Sequence, residues 1–132
     1  MIKVAVIGVG SISECHLDAY VKNKDAELYA ICDINPETLK RQGERYNIPE
    51  ERRFLDYKEL LKLPEIDAVS VCTWNSEHAP VTIAALQAGK NVLCEKPMAT
   101  SVEAAEAMLA AAKESGKHLQ IGFVRRYGND CA

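Results

Sequence analysis

Short apolar segments alternate along the chain with longer segments in which apolar and polar positions follow a helical period. The apolar segments predict β-strands at residues 2–7, 28–32, 68–72, 91–94 and 118–123. Several of them are continuously apolar, which is typical of parallel strands covered on both faces. The regular alternation of strands and helices therefore predicts an α/β fold, with a doubly wound parallel sheet and right-handed crossovers.

Capping and stop signals indicate where the helices begin and end. Asn35, with a proline directly after it, is typical of a helix start, and residues 100–103 have the spacing of a capping box. Gly89 and Gly116 follow helical patterns as stop signals. We therefore expect helices around residues 81–88 and between the capping box and Gly116. The apolar stripe of the latter helix consists of Ala104, Ala105, Met108, Leu109 and Ala112.

Composition and charge exclude several classes of protein. The chain has 132 residues, of which 48% are hydrophobic and 27% charged, as expected for one soluble globular domain. A net charge of -3 argues against a nucleic-acid-binding protein, which needs a basic surface. No apolar run approaches the roughly 18 residues that a membrane span needs, and the N-terminus lacks the layout of a signal peptide. We expect no nucleic acid and no membrane among its partners.

The number and spacing of the cysteines indicate the cellular compartment. The chain has 5 of them, and without a CxxC spacing they fit neither a disulfide framework nor a zinc site. Cys32, Cys72 and Cys94 end apolar segments and are expected to pack as small hydrophobic side chains. These features predict a reducing, cytoplasmic compartment and no bound metal.

The Gly-Val-Gly turn after the first strand is a candidate for nucleotide binding. Gly8 permits a tight turn, and Gly10 lets the backbone approach a pyrophosphate at a helix N-terminus. Ser13 stands where a third glycine is expected, and because that position serves close packing, a small serine is an acceptable replacement. We assign Ser11 and Ile12, between the second glycine and Ser13, to cofactor binding as well. The alternative is an ordinary strand-to-helix turn.

Asp33 strengthens the nucleotide interpretation. It ends the second predicted strand, 23 residues after Gly10, near the separation expected for the acid that binds a ribose 2′-hydroxyl. A carboxylate there would repel a 2′-phosphate, so we expect NAD rather than NADP. The alternative is a helix-start residue beside Asn35. Lys40 and Arg41 lie further along the helix and are expected to be solvated.

The segment after the third predicted strand, from Thr73 to Pro80, contains further candidates. In a parallel sheet all carboxyl ends of strands lie at one edge, and the first and third of these strands would flank the topological switch point where ligands bind. We therefore assign Thr73, Trp74, Asn75 and His78 to the cofactor site. Alternatively, the asparagine and histidine cap the next helix and the tryptophan packs in the core.

The same edge is expected to carry the residue most suited to proton transfer. Glu95, Lys96 and Pro97 follow the fourth predicted strand. A lysine beside cofactor and substrate can orient a hydroxyl and pass on its proton, and Glu95 can orient that lysine or bind the cofactor. The alternative is a solvated surface pair. His16, about two turns into the first helix, is expected to pack or lie at the surface rather than to act in catalysis.

Together these motifs resemble the N-terminal domain of the glucose-fructose oxidoreductase and inositol dehydrogenase family. The positions that match are Gly8, Gly10, His16, Asp33, Thr73, Asn75, His78, Glu95, Lys96 and Pro97, with residues 122–127 as the segment that leads out of the domain. The resemblance implies a Rossmann domain that binds NAD. It also implies that Lys96 assists hydride transfer between a substrate carbinol and the nicotinamide.

Members of that family carry a second α/β domain, which supplies most of the substrate pocket and the oligomer interface. We therefore expect residues 1–132 to be the dinucleotide-binding domain of a longer NAD-dependent dehydrogenase for a sugar, inositol or related polyol, a homo-oligomer at full length. Alone the domain would bind NAD and turn over little or nothing. One alternative is a non-catalytic NAD-binding regulatory or interaction module. Another is a domain for a different adenine-containing ligand, whose ribose Asp33 would hold.

Overall fold

The computed structural model describes residues 2–10, 13–72, 78–95 and 102–122. The strands are β1 (Ile2–Ile7), β2 (Ala26–Cys32), β3 (Arg53–Phe54), β4 (Ala68–Val71), β5 (Asn91–Glu95) and β6 (Leu119–Gly122). The helices are α1 (Glu14–Lys22), α2 (Pro36–Arg45), α3 (Tyr57–Leu60), α4 (His78–Gln87) and α5 (Val102–Ser115), and a short 3₁₀ helix spans Glu50–Arg52.

The strands form one parallel sheet in the order β3-β2-β1-β4-β5-β6. The chain moves outward from β1 to β3 and then returns to the other side of β1 with β4. This order confirms the predicted doubly wound sheet, and it places the topological switch point between β1 and β4.

The core lies on both faces of the sheet. Val6 and Ile31 face a cluster that includes Leu17 of α1 and Leu39 of α2. Their strand neighbours, among them Ile7, belong to a second cluster, to which α3, α4 and α5 contribute apolar side chains. Because successive residues of a strand point to opposite faces, the continuously apolar segments fill both clusters.

Several predicted boundaries are confirmed and others move by a few residues. Gly89 and Gly116 have φ angles of 84° and 70°, as expected for the glycine that ends a helix. The Asn35 side chain caps α2 by accepting the N–H groups of Glu37 and Thr38 at 2.9 and 3.3 Å. Strand β2 begins two residues earlier than predicted and β5 ends one residue later, at Glu95.

Three helix predictions need correction. Helix α4 begins at His78 rather than near residue 81, because Pro80 is in the first turn, where a missing N–H costs no hydrogen bond. Helix α1 begins at Glu14, so the buried His16 lies in its first turn. Leu109 of α5 is 57% exposed, whereas Met108 and Ala111 are buried. The inward face of α5 is therefore offset from the predicted stripe.

Candidate functional site

The carboxyl ends of three strands meet at one place in the sheet. Gly8 N–H donates to the carbonyl of Cys32 at 2.8 Å, and Cys72 N–H donates to the carbonyl of Ile7 at 2.8 Å. The residues directly after β1, β2 and β4, which are Gly8, Asp33 and Cys72, thus lie side by side. We call this the carboxyl edge of the sheet. It confirms that the glycine turn and the acid at the end of β2 are neighbours.

The two glycines of the turn after β1 differ, because only the first is required by its backbone conformation. Gly8 has a φ of 90°, a conformation that strongly favours glycine. Gly10 has no positive φ, and a Cβ built on it would contact no atom within 4 Å. The described protein therefore gives no internal reason for a glycine at position 10. The backbone there borders open space, as close approach by a ligand requires.

Asp33 connects the end of β2 to this turn. Its carboxylate accepts the N–H of Val9 through Oδ2 at 3.0 Å and the N–H of Asn35 through Oδ1 at 2.9 Å. Asp33 therefore does support the start of α2, as the alternative interpretation expected, but it also fixes the glycine turn. Each carboxylate oxygen has a second lone pair, so the half-buried side chain can still accept hydroxyl groups.

The carbonyl groups of the turn are held by two buried side chains. Gln42 of α2 donates from Nε2 to the carbonyl of Val9 at 2.9 Å, with a longer contact to Oε2 of Glu14 at 3.4 Å. Ser13 donates from Oγ to the carbonyl of Gly10 at 2.6 Å. The serine is therefore more than a small replacement for glycine, because it also satisfies a carbonyl of the turn.

Gln42 is a site residue that the sequence motifs do not predict. The buried residues of α2 are Leu39, Gln42 and Gly43, so the glutamine occupies an inward position one turn after the leucine. A polar residue on the apolar side of an amphipathic helix was the available signal. It indicates a buried polar group that needs a specific partner.

Cys32 lies at the carboxyl edge without being reactive. Burial raises the pKa of its thiol to about 12, and the Asp33 and Asp56 carboxylates add to this effect. The thiol is therefore protonated at neutral pH. Cys32 and Cys94 are buried in one apolar cluster, and the half-buried Cys72 packs against the other, which confirms the packing role predicted for them.

The remaining candidates are placed only in part. His78 is the first residue of α4 and Glu95 the last residue of β5, and their side chains lie outside the described part of the chain. The other candidates lie outside the described residues altogether: Ser11, Ile12, Thr73, Trp74, Asn75, Lys96 and Pro97. The backbone therefore places Glu95 at the carboxyl end of β5, whereas His78 begins the helix that follows β4.

Comparison with known proteins decides the family. The model of the Gfo/Idh/MocA oxidoreductase family, an NAD-binding Rossmann fold, matches residues 2–123. The chain belongs to this family. An inositol 2-dehydrogenase of Paracoccus denitrificans (strain Pd 1222) is 38% identical over 128 residues, which cover 96% of this chain and 38% of the relative. A myo-inositol 2-dehydrogenase of Thermotoga maritima is 34% identical over 125 residues, covering 95% of this chain and 37% of the relative.

Solved structures of Gfo/Idh/MocA proteins share the fold. The WlbA dehydrogenase from Bordetella pertussis, in complex with NADH and UDP-GlcNAcA, superposes with a TM-score of 0.89 at 33% identity. The match covers 98% of this chain and 39% of that chain. This Gfo/Idh/MocA chain thus spans less than two fifths of the length of all three relatives. In the described part of the chain, no helix is long and apolar enough to cross a membrane.

Proposed function

We propose that residues 1–132 are the cofactor-binding domain of an NAD-dependent oxidoreductase that acts on a sugar, inositol or related polyol. The observation that carries this proposal is the open space beside the backbone of Gly10. Neither its φ nor any nearby atom in the described part of the chain requires a glycine, yet it directly follows Val9, whose N–H the Asp33 carboxylate accepts at the carboxyl edge of the sheet. A ligand that approaches the backbone closely supplies the missing reason.

The described residues fit a dinucleotide. The turn of Gly8 and Gly10 would hold the pyrophosphate before α1, and Asp33 would accept the ribose hydroxyls of the adenosine half. The same carboxylate disfavours a 2′-phosphate, so NAD is the proposed cofactor. When bound, the nicotinamide ring supplies the hydride acceptor or donor of the reaction.

The residues beyond β4 and β5 would form the nicotinamide side of the site. We assign Lys96 the role of orienting the substrate hydroxyl and accepting its proton, because it directly follows Glu95, the last residue of β5, in the sequence. The residues proposed to line the cofactor there are Thr73, Trp74, Asn75, His78, Glu95 and Pro97.

The substrate class and the rest of the protein are inferred from relatives. The two curated relatives described above are inositol dehydrogenases of more than twice the matched length, which supports a polyol substrate and a further domain that completes the pocket. The full-length protein would be a cytoplasmic homo-oligomer, and the isolated domain would bind NAD with little or no turnover.

Calorimetric titration of the full chain with NAD and NADP tests the cofactor assignment. We expect the affinity for NAD to be at least about tenfold higher than that for NADP, because charge repulsion at Asp33 opposes the 2′-phosphate. Asp33→Asn retains a side-chain acceptor but removes the charge, so it should narrow this preference. Failure of the wild-type chain to bind either nucleotide would overturn the proposed function.

Asp67 provides the matched control. Its carboxylate accepts the backbone N–H of Lys3 at 2.9 Å, much as Asp33 accepts that of Val9. Asp67, however, precedes β4 and lies at the opposite end of the sheet. Asp67→Asn should leave the NAD to NADP ratio unchanged. If both variants shifted the ratio equally, the effect would come from overall charge and the role assigned to Asp33 would be lost.

A further inference from the structure

Side chains from outside the glycine turn hold both polar groups of Val9. Asp33 accepts its N–H at 3.0 Å, and Gln42 donates to its carbonyl at 2.9 Å. We propose that Gln42 is a positioning residue that aims the Gly10 N–H at the pyrophosphate of the dinucleotide. The inference rests on the proposed function and adds a residue that touches neither cofactor nor substrate.

The geometry of the peptide bond connects Gln42 to Gly10. The carbonyl of Val9 and the N–H of Gly10 belong to one peptide unit, and in a planar trans peptide these two groups point in opposite directions. Gln42 is fully buried, so its hydrogen bond directs the Val9 carbonyl into the protein. The Gly10 N–H is thereby directed away from Gln42.

Electrostatics makes this orientation important for an anionic ligand. A pyrophosphate is attracted to backbone N–H groups and repelled by carbonyl oxygens, which carry partial negative charge. Rotation of the peptide between Val9 and Gly10 would exchange one for the other. Ser13 holds the next carbonyl, that of Gly10, in the same manner at 2.6 Å. The carbonyl groups of Val9 and Gly10 therefore have fixed directions before a ligand arrives.

The chemistry around Gln42 is what a positioning role requires. The groups that face its amide nitrogen, the Val9 carbonyl and the Glu14 carboxylate, are both acceptors, so only the NH₂ end of the side chain can face them. Its Oε1 is buried without a hydrogen-bond partner in the described part of the protein, which costs free energy. An apolar residue would fill this space without that cost. Packing alone therefore does not account for a glutamine.

The decisive variant is Gln42→Met, which keeps the side-chain length and removes both the donor and the unpaired oxygen. Binding of NAD, ADP-ribose and adenosine to the full chain is compared by calorimetry or NMR titration. We expect NAD and ADP-ribose, which contain the pyrophosphate, to bind about tenfold more weakly, while adenosine, which lacks it, changes less than about twofold. A general loosening of the fold would weaken all three ligands together.

Each outcome has a distinct meaning. Unchanged NAD affinity in Gln42→Met, or equal losses for all three ligands, would refute the positioning role while the proposed function stands. If the wild-type chain bound neither NAD nor ADP-ribose, both proposals would be overturned. Ser13→Ala serves as a second variant with the same expected split between ligands. Thermal denaturation of each variant verifies that it is folded at the titration temperature.

Discussion

The two ends of the sheet carry similar residues in different surroundings. At the end where β1, β4 and β5 begin, which we call the amino edge, polar groups satisfy one another. Asp67 accepts the N–H of Lys3 at 2.9 Å and donates its own N–H to the Lys3 carbonyl at 2.8 Å. Lys90, which is buried, donates from Nζ to the carbonyl of Leu63 at 2.7 Å. These hydrogen bonds give the side chains of Asp67 and Lys90 a structural role, and no ligand is needed to explain either residue.

At the carboxyl edge the aspartate is accounted for in the same way, but a nearby glycine is not. Asp33 also accepts backbone N–H groups, but it does so beside a glycine that borders open space. An aspartate at the end of a strand is therefore weak evidence of a binding site by itself. The carboxyl edge, where we propose a ligand, differs in having Gly10, a glycine for which the described atoms around it give no structural need.

Strand β5 offers the strongest test, because a lysine lies just beyond each of its ends. In the two-domain enzyme that we propose, Lys96→Ala should lower kcat about a hundredfold or more, since it removes the proposed proton acceptor, while the KM for NAD changes little. Lys90→Met should leave kcat within about twofold and cost about 1 kcal/mol of stability, because the Leu63 carbonyl loses its donor. Steady-state kinetics and thermal denaturation measure these effects. Full activity of Lys96→Ala would refute its catalytic role.

The sheet was predictable from sequence because its apolar segments are long and continuous. Strand β1 matches its predicted bounds, and the glycine stops after α4 and α5 have the expected positive φ angles. Strand β3 and helix α3 were missed, since elements of 2 and 4 residues are too short to show a period. The exposure of Leu109 was missed because helical periodicity leaves the direction of the inward face uncertain by one position.

The candidate site was predictable only in outline. Placing Asp33 beside the glycine turn needed only the rule that parallel strands end at one edge. The hydrogen bonds from Val9 to Asp33 and from Gln42 to Val9 depend on side-chain conformations and on the path of the turn, which no sequence pattern specifies. Gln42 is 33 residues from Val9, so no local motif joins the two.

Alanine should have different effects at two glycines, weakening NAD binding at Gly10 and lowering stability at Gly116. Gly10→Ala should preserve the melting temperature, since the Cβ meets open space and φ is not positive, but weaken NAD binding about tenfold. Gly116→Ala should leave NAD binding unchanged and cost about 1–2 kcal/mol of stability, because its φ is 70°. Calorimetry and thermal denaturation test both. A stability loss in Gly10→Ala with unchanged NAD affinity would make the turn purely structural.

The smallest effect concerns the charge of Lys90 at the amino edge. Burial lowers the pKa of this lysine below its usual 10.5, so the unfolded chain holds its proton more tightly than the folded one. Stability therefore rises with pH between the folded pKa and about 10.5, and it falls as the pH is lowered through this window. Denaturant unfolding from pH 8 to 10.5 should show a steeper rise for the wild-type chain than for Lys90→Met, while NAD affinity shows no such difference. Equal slopes of the free energy of unfolding against pH in the two proteins would mean that burial of the Lys90 ammonium costs no stability. The polar groups of the amino edge would then compensate fully for the loss of its hydration.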